Sequence, residues 1–121
     1  MHEFDSDKPI YAQLAEDIVK RAVRGELRPG DKIPSAREFA QSRLVNPNTV
    51  ARAYQELERD GFVVTKRGLG SFVTEDEGRI KAARHTLVQA AVKRAVSELR
   101  ALGLSGADIH AALADALEVR S

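Results

Sequence analysis

Two helix starts stand so close together between Pro34 and Pro47 that the chain between them has room only for one short helix and a tight turn. Ser35 followed by Glu38 is a capping box, in which the serine oxygen and the glutamate carboxylate each satisfy a backbone N–H that the next helix would leave unpaired. Phe39 and Ala40 give that helix a face to bury, and it should end near Ser42. Asn46 as N-cap and Pro47 at the first helical position then open another helix. Along it Val50, Ala53, Tyr54 and Leu57 recur three and four apart on one side, which leaves Asn48, Thr49, Arg52 and Gln55 toward the other. One side packs while the other is free, an arrangement suited to laying a helix into the major groove of DNA.

The flanking segments extend this pair into a recognisable order. Upstream, Pro9 can open a helix, and Ile10, Leu14, Ile18 and Ala22 repeat at helical spacing until Gly25. Arg28-Pro29-Gly30-Asp31 reads as a turn leading to a short extended piece at Lys32-Ile33. Downstream, Phe62-Val63-Val64-Thr65 and Ser71-Phe72-Val73-Thr74 are β-branched and aromatic runs flanking Lys66-Arg67-Gly68-Leu69-Gly70, a hairpin with a glycine-containing tip. Helix, helix, helix, hairpin is the order of a winged helix.

Past the acidic stretch near Glu75 the pattern becomes a long helix of roughly 79–102, whose Val88, Ala91, Val92, Ala95, Val96, Leu99 and Leu102 form a broad apolar stripe. Gly103 ends it, and Ser105 with Asp108 caps a last helix in which Ile109, Ala112, Leu113, Ala116 and Leu117 again repeat. An antiparallel pair of such helices cannot cover both of its own stripes. The expected architecture is therefore mainly α with a small β-hairpin wing: a winged helix-turn-helix over 1–76, followed by a two-helix dimerisation tail over 77–121.

Charge has to be taken piece by piece, because the net value of +1 hides its distribution. Arg37, Arg43 and Arg52 stand against the single acid Glu38 between Ile33 and Gln55, and Lys66 and Arg67 are the only charges from Gly61 to Thr74. Acids gather at Glu56, Glu58 and Asp60, and again at Glu75, Asp76 and Glu77. A nearly neutral chain can thus present one basic face. Asn48, Thr49 and Arg52 lie in the first turns of their helix, where the positive end of its dipole also favours phosphate, and the acids at its far end should point away from DNA. Arg52 suits a paired hydrogen bond to guanine or a phosphate contact, and Asn48 suits adenine or the backbone. Arg37 can clamp phosphate or reach a base, its alternative being a solvated ion pair with Glu38 or Asp31. Lys66 and Arg67 are either wing contacts, helped by the close approach that Gly68 and Gly70 allow, or a solubilising edge.

Other chemistries find little support. With no cysteine there is no disulfide, zinc finger or thiol nucleophile, and the compartment expected is the cytoplasm. His2, His85 and His110 are scattered without metal-ligand spacing, and no glycine-rich phosphate loop occurs, so neither an enzyme nor a bound cofactor or metal is expected. Apolar runs fall short of the ~18 residues a membrane span needs.

Several separated motifs together resemble the GntR family of bacterial transcription regulators. They are Pro34-Ser35-Ala36-Arg37-Glu38-Phe39-Ala40, Val45-Asn46-Pro47-Asn48-Thr49-Val50, Arg52-Ala53-Tyr54, Leu57-Glu58 and Gly68-Leu69-Gly70-Ser71-Phe72-Val73, within a resemblance that covers Pro9 to Thr74. The Pro9-Ile10-Tyr11 entry, the Asn-Pro-Asn-Thr run and the two-helix tail resemble its YtrA-like subgroup. The resemblance implies a homodimer joined through the C-terminal helices and bound to an inverted repeat in double-stranded DNA, often as a repressor of its own operon or of neighbouring transporter genes. It places DNA contacts on Arg37, Asn48, Thr49, Arg52 and the wing around Arg67 and Gly68. Two positions depart from the pattern: Leu69 stands at a wing-tip position where relatives often carry a basic residue, and Arg43 stands where an apolar residue should pack the turn. Either the turn is shifted by one or Leu44 fills that space, and Arg43 becomes an extra phosphate contact. Dimerisation falls to Val88, Ala91, Val92, Ala95, Leu99, Leu102, Ile109, Leu113 and Leu117, the alternative being that these stripes pack on their own winged helix. A small-molecule effector at the dimer interface is compatible with this reading. The rival is a protein-interaction or scaffold winged helix without sequence-specific DNA binding.

Overall fold

The structure, a computed structural model, describes residues 7–118, so His2 lies outside the described residues. Its elements run α1 (Ile10–Val23), α2 (Ala36–Arg43), α3 (Pro47–Arg59), β1 (Val63–Lys66), β2 (Gly70–Val73), α4 (Glu77–Ala101) and α5 (Gly106–Leu117). The chain divides into two compact units after Arg84.

In the first unit, Leu14 and Ile18 of α1, Phe39 and Ala40 of α2, and Val50, Ala53 and Leu57 of α3 close over Ile33, Phe62, Val63 and Val73 from the sheet side. All but Ile10 of the helical repeat expected in α1 is buried; Ile10 sits in the first turn and stays 44% exposed. The capping box of α2 is formed in both directions, Glu38 N–H to Ser35 Oγ at 3.1 Å and Ser35 N–H to Glu38 Oε1 at 3.0 Å. Asn46 caps α3 through Oδ1, which accepts the Asn48 N–H at 2.8 Å.

The turn between α2 and α3 departs from expectation. Leu44 does not fill the apolar space: it adopts φ 57°, the left-handed conformation, and stands 92% exposed. The Val45 N–H reaches back to the Ala40 carbonyl at 3.1 Å, closing a Schellman-type end, and Val45 is the residue that packs against the core. Arg43 turns inward instead of toward a phosphate. Its Nη2 donates to Asp17 at 2.6 Å, its guanidinium lies 4.9 Å from the centre of the Phe39 ring, and its Nε is buried without a partner.

The two strands pair antiparallel, Val63 with Val73 through Lys66 with Gly70, so the hairpin sits one residue nearer its tip than the sequence suggests. Phe62 and Thr74, expected inside the strands, are joined just outside the ladder by Thr74 N–H to the Phe62 carbonyl at 2.8 Å. The Lys32-Ile33 piece adds an edge to β2, with Ile33 N–H to the Ser71 carbonyl at 2.9 Å and a bridge between Lys32 and Phe72. The tip is a tight turn, Leu69 N–H to the Lys66 carbonyl at 2.9 Å, and Gly68 holds its φ of 77°. That conformation would strain a residue with a Cβ.

The helix expected from about Arg79 begins at Glu77, and packing divides later, after Arg84. Ile80 and Ala83 of α4 rest against the winged-helix core, and Arg79 Nη1 donates to the Asp60 carbonyl at 2.9 Å. In the second unit, Gly103 with φ 87° follows the end of α4, and the Ser105–Asp108 capping box opens α5. Among the described residues none is long and apolar enough as a helix to cross a membrane.

Candidate nucleic-acid interface

The free side of α3 is built as its spacing demands. Val50, Ala53 and Leu57 are buried, Asn48, Arg52 and Gln55 are exposed, and Thr49 is half-buried between them. Tyr54 closes the other flank, its hydroxyl donating to the Pro34 carbonyl at 2.7 Å and its ring stacked on Phe39. Burial is the main reason the Tyr54 phenol is pushed up to about 12. This ties α3 to the start of α2, whose first turn carries the exposed Arg37.

Backbone donors at the start of α3 are already committed. Pro47 has none, Asn48 N–H goes to Asn46 Oδ1, and Thr49 N–H goes to the Asn46 carbonyl at 2.9 Å. The helix dipole persists there, and what this end presents beyond its committed backbone is the side chains of Asn48, Thr49 and Arg52. In α2 the Ser35 N–H and then its hydroxyl hold the Glu38 carboxyl below the usual carboxylate range. Glu38 is thereby engaged with its cap. Arg37 pairs with no acid among the described residues, so the solvated ion pair with Glu38 or Asp31 is not formed.

Between α3 and the wing runs a cleft of about 530 Å³, lined in part by Ser35, Ala51, Gln55, Glu58, Thr65 and Ser71. Of the three acids at the end of α3, Glu56 pairs with Arg59 and Glu58 lines this cleft, while at Asp60 it is the backbone carbonyl that accepts from Arg79. Since Thr65 and Ser71 look into the cleft, alternation along the strand puts Lys66 on the opposite face of the hairpin, where its ammonium lies 4.9 Å from the centre of the Phe72 ring. Arg67 and Gly68 form the exposed tip together with Leu69, itself 62% exposed. Asn48, Thr49 and Arg52 therefore border one depression, Arg37 stands exposed in the first turn of α2, Arg67 and Gly68 mark the wing tip, and Lys66 sits at the base of that tip on the face of Phe72.

Two neighbours of this surface were not singled out by the sequence. Lys32 lies along the wing, its Cε 2.8 Å from where a Cβ on Gly70 would stand. The sequence shows a short extended piece at Lys32-Ile33, but not its bridge to the wing edge. Tyr11 supports Arg52, whose guanidinium carbon lies 4.0 Å from the centre of the Tyr11 ring. Nothing local in the sequence announces a contact across so long a separation.

The predicted tail residues are mostly accessible. Val88, Val92, Leu102, Leu113 and Leu117 are 49%, 51%, 75%, 41% and 78% exposed, Ala91 is exposed, and Ala95 and Leu99 are half-buried. Ile109 differs, being 5% exposed in the single chain, so it belongs to an interior and not to an open stripe. His85 and His110 are exposed.

Residues 9–73 match the family described as "Bacterial regulatory proteins, gntR family". The chain is 44% identical over 104 residues to the uncharacterized HTH-type transcriptional regulator YhcF of Bacillus subtilis, which covers 86% of each chain. It is 34% identical over 106 residues to the HTH-type transcriptional repressor YtrA of the same organism, covering 87% of this chain and 82% of that one. Among solved structures it resembles a GntR family transcriptional regulator from Listeria monocytogenes, with TM-score 0.83, 38% identity and coverage of 93% and 98%. It also resembles the DNA-binding domain of AraR solved in complex with operator ORR3, with TM-score 0.54, 32% identity and coverage of 61% and 87%.

Proposed function

The chain belongs to the gntR family of bacterial regulatory proteins and is a DNA-binding transcriptional regulator, and from that premise we propose that it works in the cytoplasm as a homodimeric repressor on an inverted-repeat operator. The observation that carries this reading is the division of α3: its apolar side is closed into the core, while Asn48 and Arg52 stand exposed with Arg37 on the neighbouring helix, and neither arginine's charge is spent on an acid among the described residues. In this reading Asn48, Thr49 and Arg52 meet base edges, Arg37 anchors a phosphate or a base, and Arg67 with Gly68 brings the wing tip to the duplex. Lys66, turned to the other face of the hairpin over Phe72, contributes less. The operator bound by AraR supports a duplex as the partner.

The open stripe of α4 and α5, with Val88, Val92, Leu102, Leu113 and Leu117 exposed, supports a second copy of the chain as its cover. A two-fold dimer then matches half-sites about one helical turn or a multiple apart. The test is selection of bound duplexes from a random pool, followed by titration of the selected site at graded salt. A dimer neutralising about three or four phosphates per subunit gives a log–log salt slope of about −5 to −7. No retained complex at low salt, or a complex indifferent to salt, overturns the proposal.

A further inference from the structure

We propose that Tyr11, in the first turn of α1, is a positioning residue that sets sequence specificity by holding Arg52 in its reading rotamer. The inference rests on the proposed role of Arg52 in contacting bases. Tyr11 is half-buried and packed against the core, so its ring is a fixed platform. The Arg52 guanidinium carbon lies 4.0 Å from the ring centre, well within the range of a cation–π contact. Ile10, Tyr11, Asn46, Asn48, Thr49 and Arg52 surround one shallow depression, which sets the stacked pair directly beside the other reading positions.

A stacked guanidinium is covered on its face, while its N–H donors point outward in the plane. The edge that makes two parallel bonds to guanine therefore stays open. An unsupported arginine loses rotamer freedom when it binds, and one already laid on a ring loses less. The same ordering discriminates among bases, because a free arginine can swing to a phosphate or to a neighbouring base and a stacked one is held to one line of approach. Tyr11 should thus affect the ratio of specific to non-specific affinity more than the salt slope, which counts phosphate charges.

The experiment uses the full chain and its selected duplex, with a scrambled duplex alongside. Tyr11→Leu is expected to lower specific affinity about three- to fivefold per half-site, with non-specific affinity and salt slope unchanged. Tyr11→Phe, which keeps the ring, should match the parent. An equal loss in both variants would show that the hydroxyl acts by itself and overturn the proposal. Because Tyr11→Leu can disturb the core, a series of fluorinated phenylalanines at position 11 provides a second measure at nearly constant shape: affinity should fall stepwise as fluorine drains the ring face of negative charge. A flat series overturns the proposal. In an Arg52→Ala background the effect of Tyr11→Leu should vanish, and an undiminished loss there also overturns it. Should Arg52→Ala itself leave operator affinity unchanged, the base-reading role of Arg52 fails and takes this inference with it. A loss on Arg52→Ala with silent Tyr11 variants removes the inference alone.

Discussion

Replacing Asp17 by alanine should destabilise the winged helix by about 2 kcal/mol, although no apolar core atom is removed. Asp17 accepts Arg43 Nη2 at 2.6 Å and stands 3.4 Å from Arg21 Nε. The Asp17 and Arg43 side chains are only 18% and 17% exposed. Removing one partner of a deeply buried pair costs about 3–5 kcal/mol, because a desolvated charge is left uncompensated, whereas an exposed pair contributes about 0–1 kcal/mol. This pair lies between those limits. Its loss would leave Arg43 enclosed near the like-charged Arg21, with a buried Nε already lacking a partner. For a chain of this size about 2 kcal/mol lowers the melting temperature by about 6–10 °C. The opposite substitution separates charge from packing. Arg43→Leu removes an orphaned donor and keeps an apolar group against Phe39, but it leaves Asp17 enclosed with only the weaker Arg21 pair, so it too should cost about 1 kcal/mol. Asp17→Ala in the Arg43→Leu background should then cost under about 0.5 kcal/mol, since little but the weaker Arg21 pair remains to be lost. Urea and thermal unfolding of the four proteins complete the cycle. A full Asp17→Ala loss that persists without Arg43, or no loss in the parent, would refute the reasoning.

Leu44→Gly should stabilise the fold by about 0.5–1 kcal/mol, because relief of a left-handed Leu outweighs the extra freedom glycine has when unfolded and a 92% exposed side chain gives up no packing; a urea midpoint that falls at constant slope would contradict this. Tyr54 has a phenol raised from 10.0 to about 12, so both states keep its proton below pH 10 and only the unfolded chain releases it between 10 and 12. Stability should therefore decline across that window by about 1 kcal/mol once the solvent that reaches the half-buried phenol is allowed for, and Tyr54→Phe should flatten this alkaline limb while costing about 1 kcal/mol at neutral pH for the lost bond to Pro34. Val92→Asp, at a position 51% exposed, should yield a monomer by sedimentation at micromolar concentration with weaker operator binding; a persistent dimer would place the interface elsewhere.

What could be read before any coordinates was whatever neighbouring residues settle among themselves. The caps at Ser35–Glu38, Asn46–Pro47 and Ser105–Asp108 each involve residues no more than three apart, and all three form. Periodicity assigned the buried side of α3 for the same reason, since Val50, Ala53 and Leu57 need only the helix repeat to align. The turn before α3 stays open in the sequence between a one-residue shift and Leu44 filling the space, because its outcome depends on distant partners; α2 runs one residue past Ser42, to Arg43. An arginine there looks available for phosphate until Asp17, 26 residues earlier in the chain, draws it inward, and Leu44 then has no apolar space to enter because Val45 already occupies it. The hairpin moved by one residue because its turn closes from the Leu69 N–H to the Lys66 carbonyl, which leaves Lys66 and Gly70 to pair as the last rung of the ladder.

Arg43 and Arg52 carry this point into function. Both are arginines on or beside the helix-turn-helix, and composition alone gives them the same standing. Their fates are decided by α1, which offers Arg43 a carboxylate and Arg52 an aromatic face. A carboxylate neutralises a guanidinium and competes for its N–H donors, whereas a ring attracts the cation through its face and leaves the in-plane donors free. The same helix therefore withdraws one arginine from the surface and prepares the other for a partner. It follows that exchanging the two supports is not conservative: a carboxylate at position 11 would stabilise Arg52 as an ion pair and, by occupying its donors, remove it from the duplex.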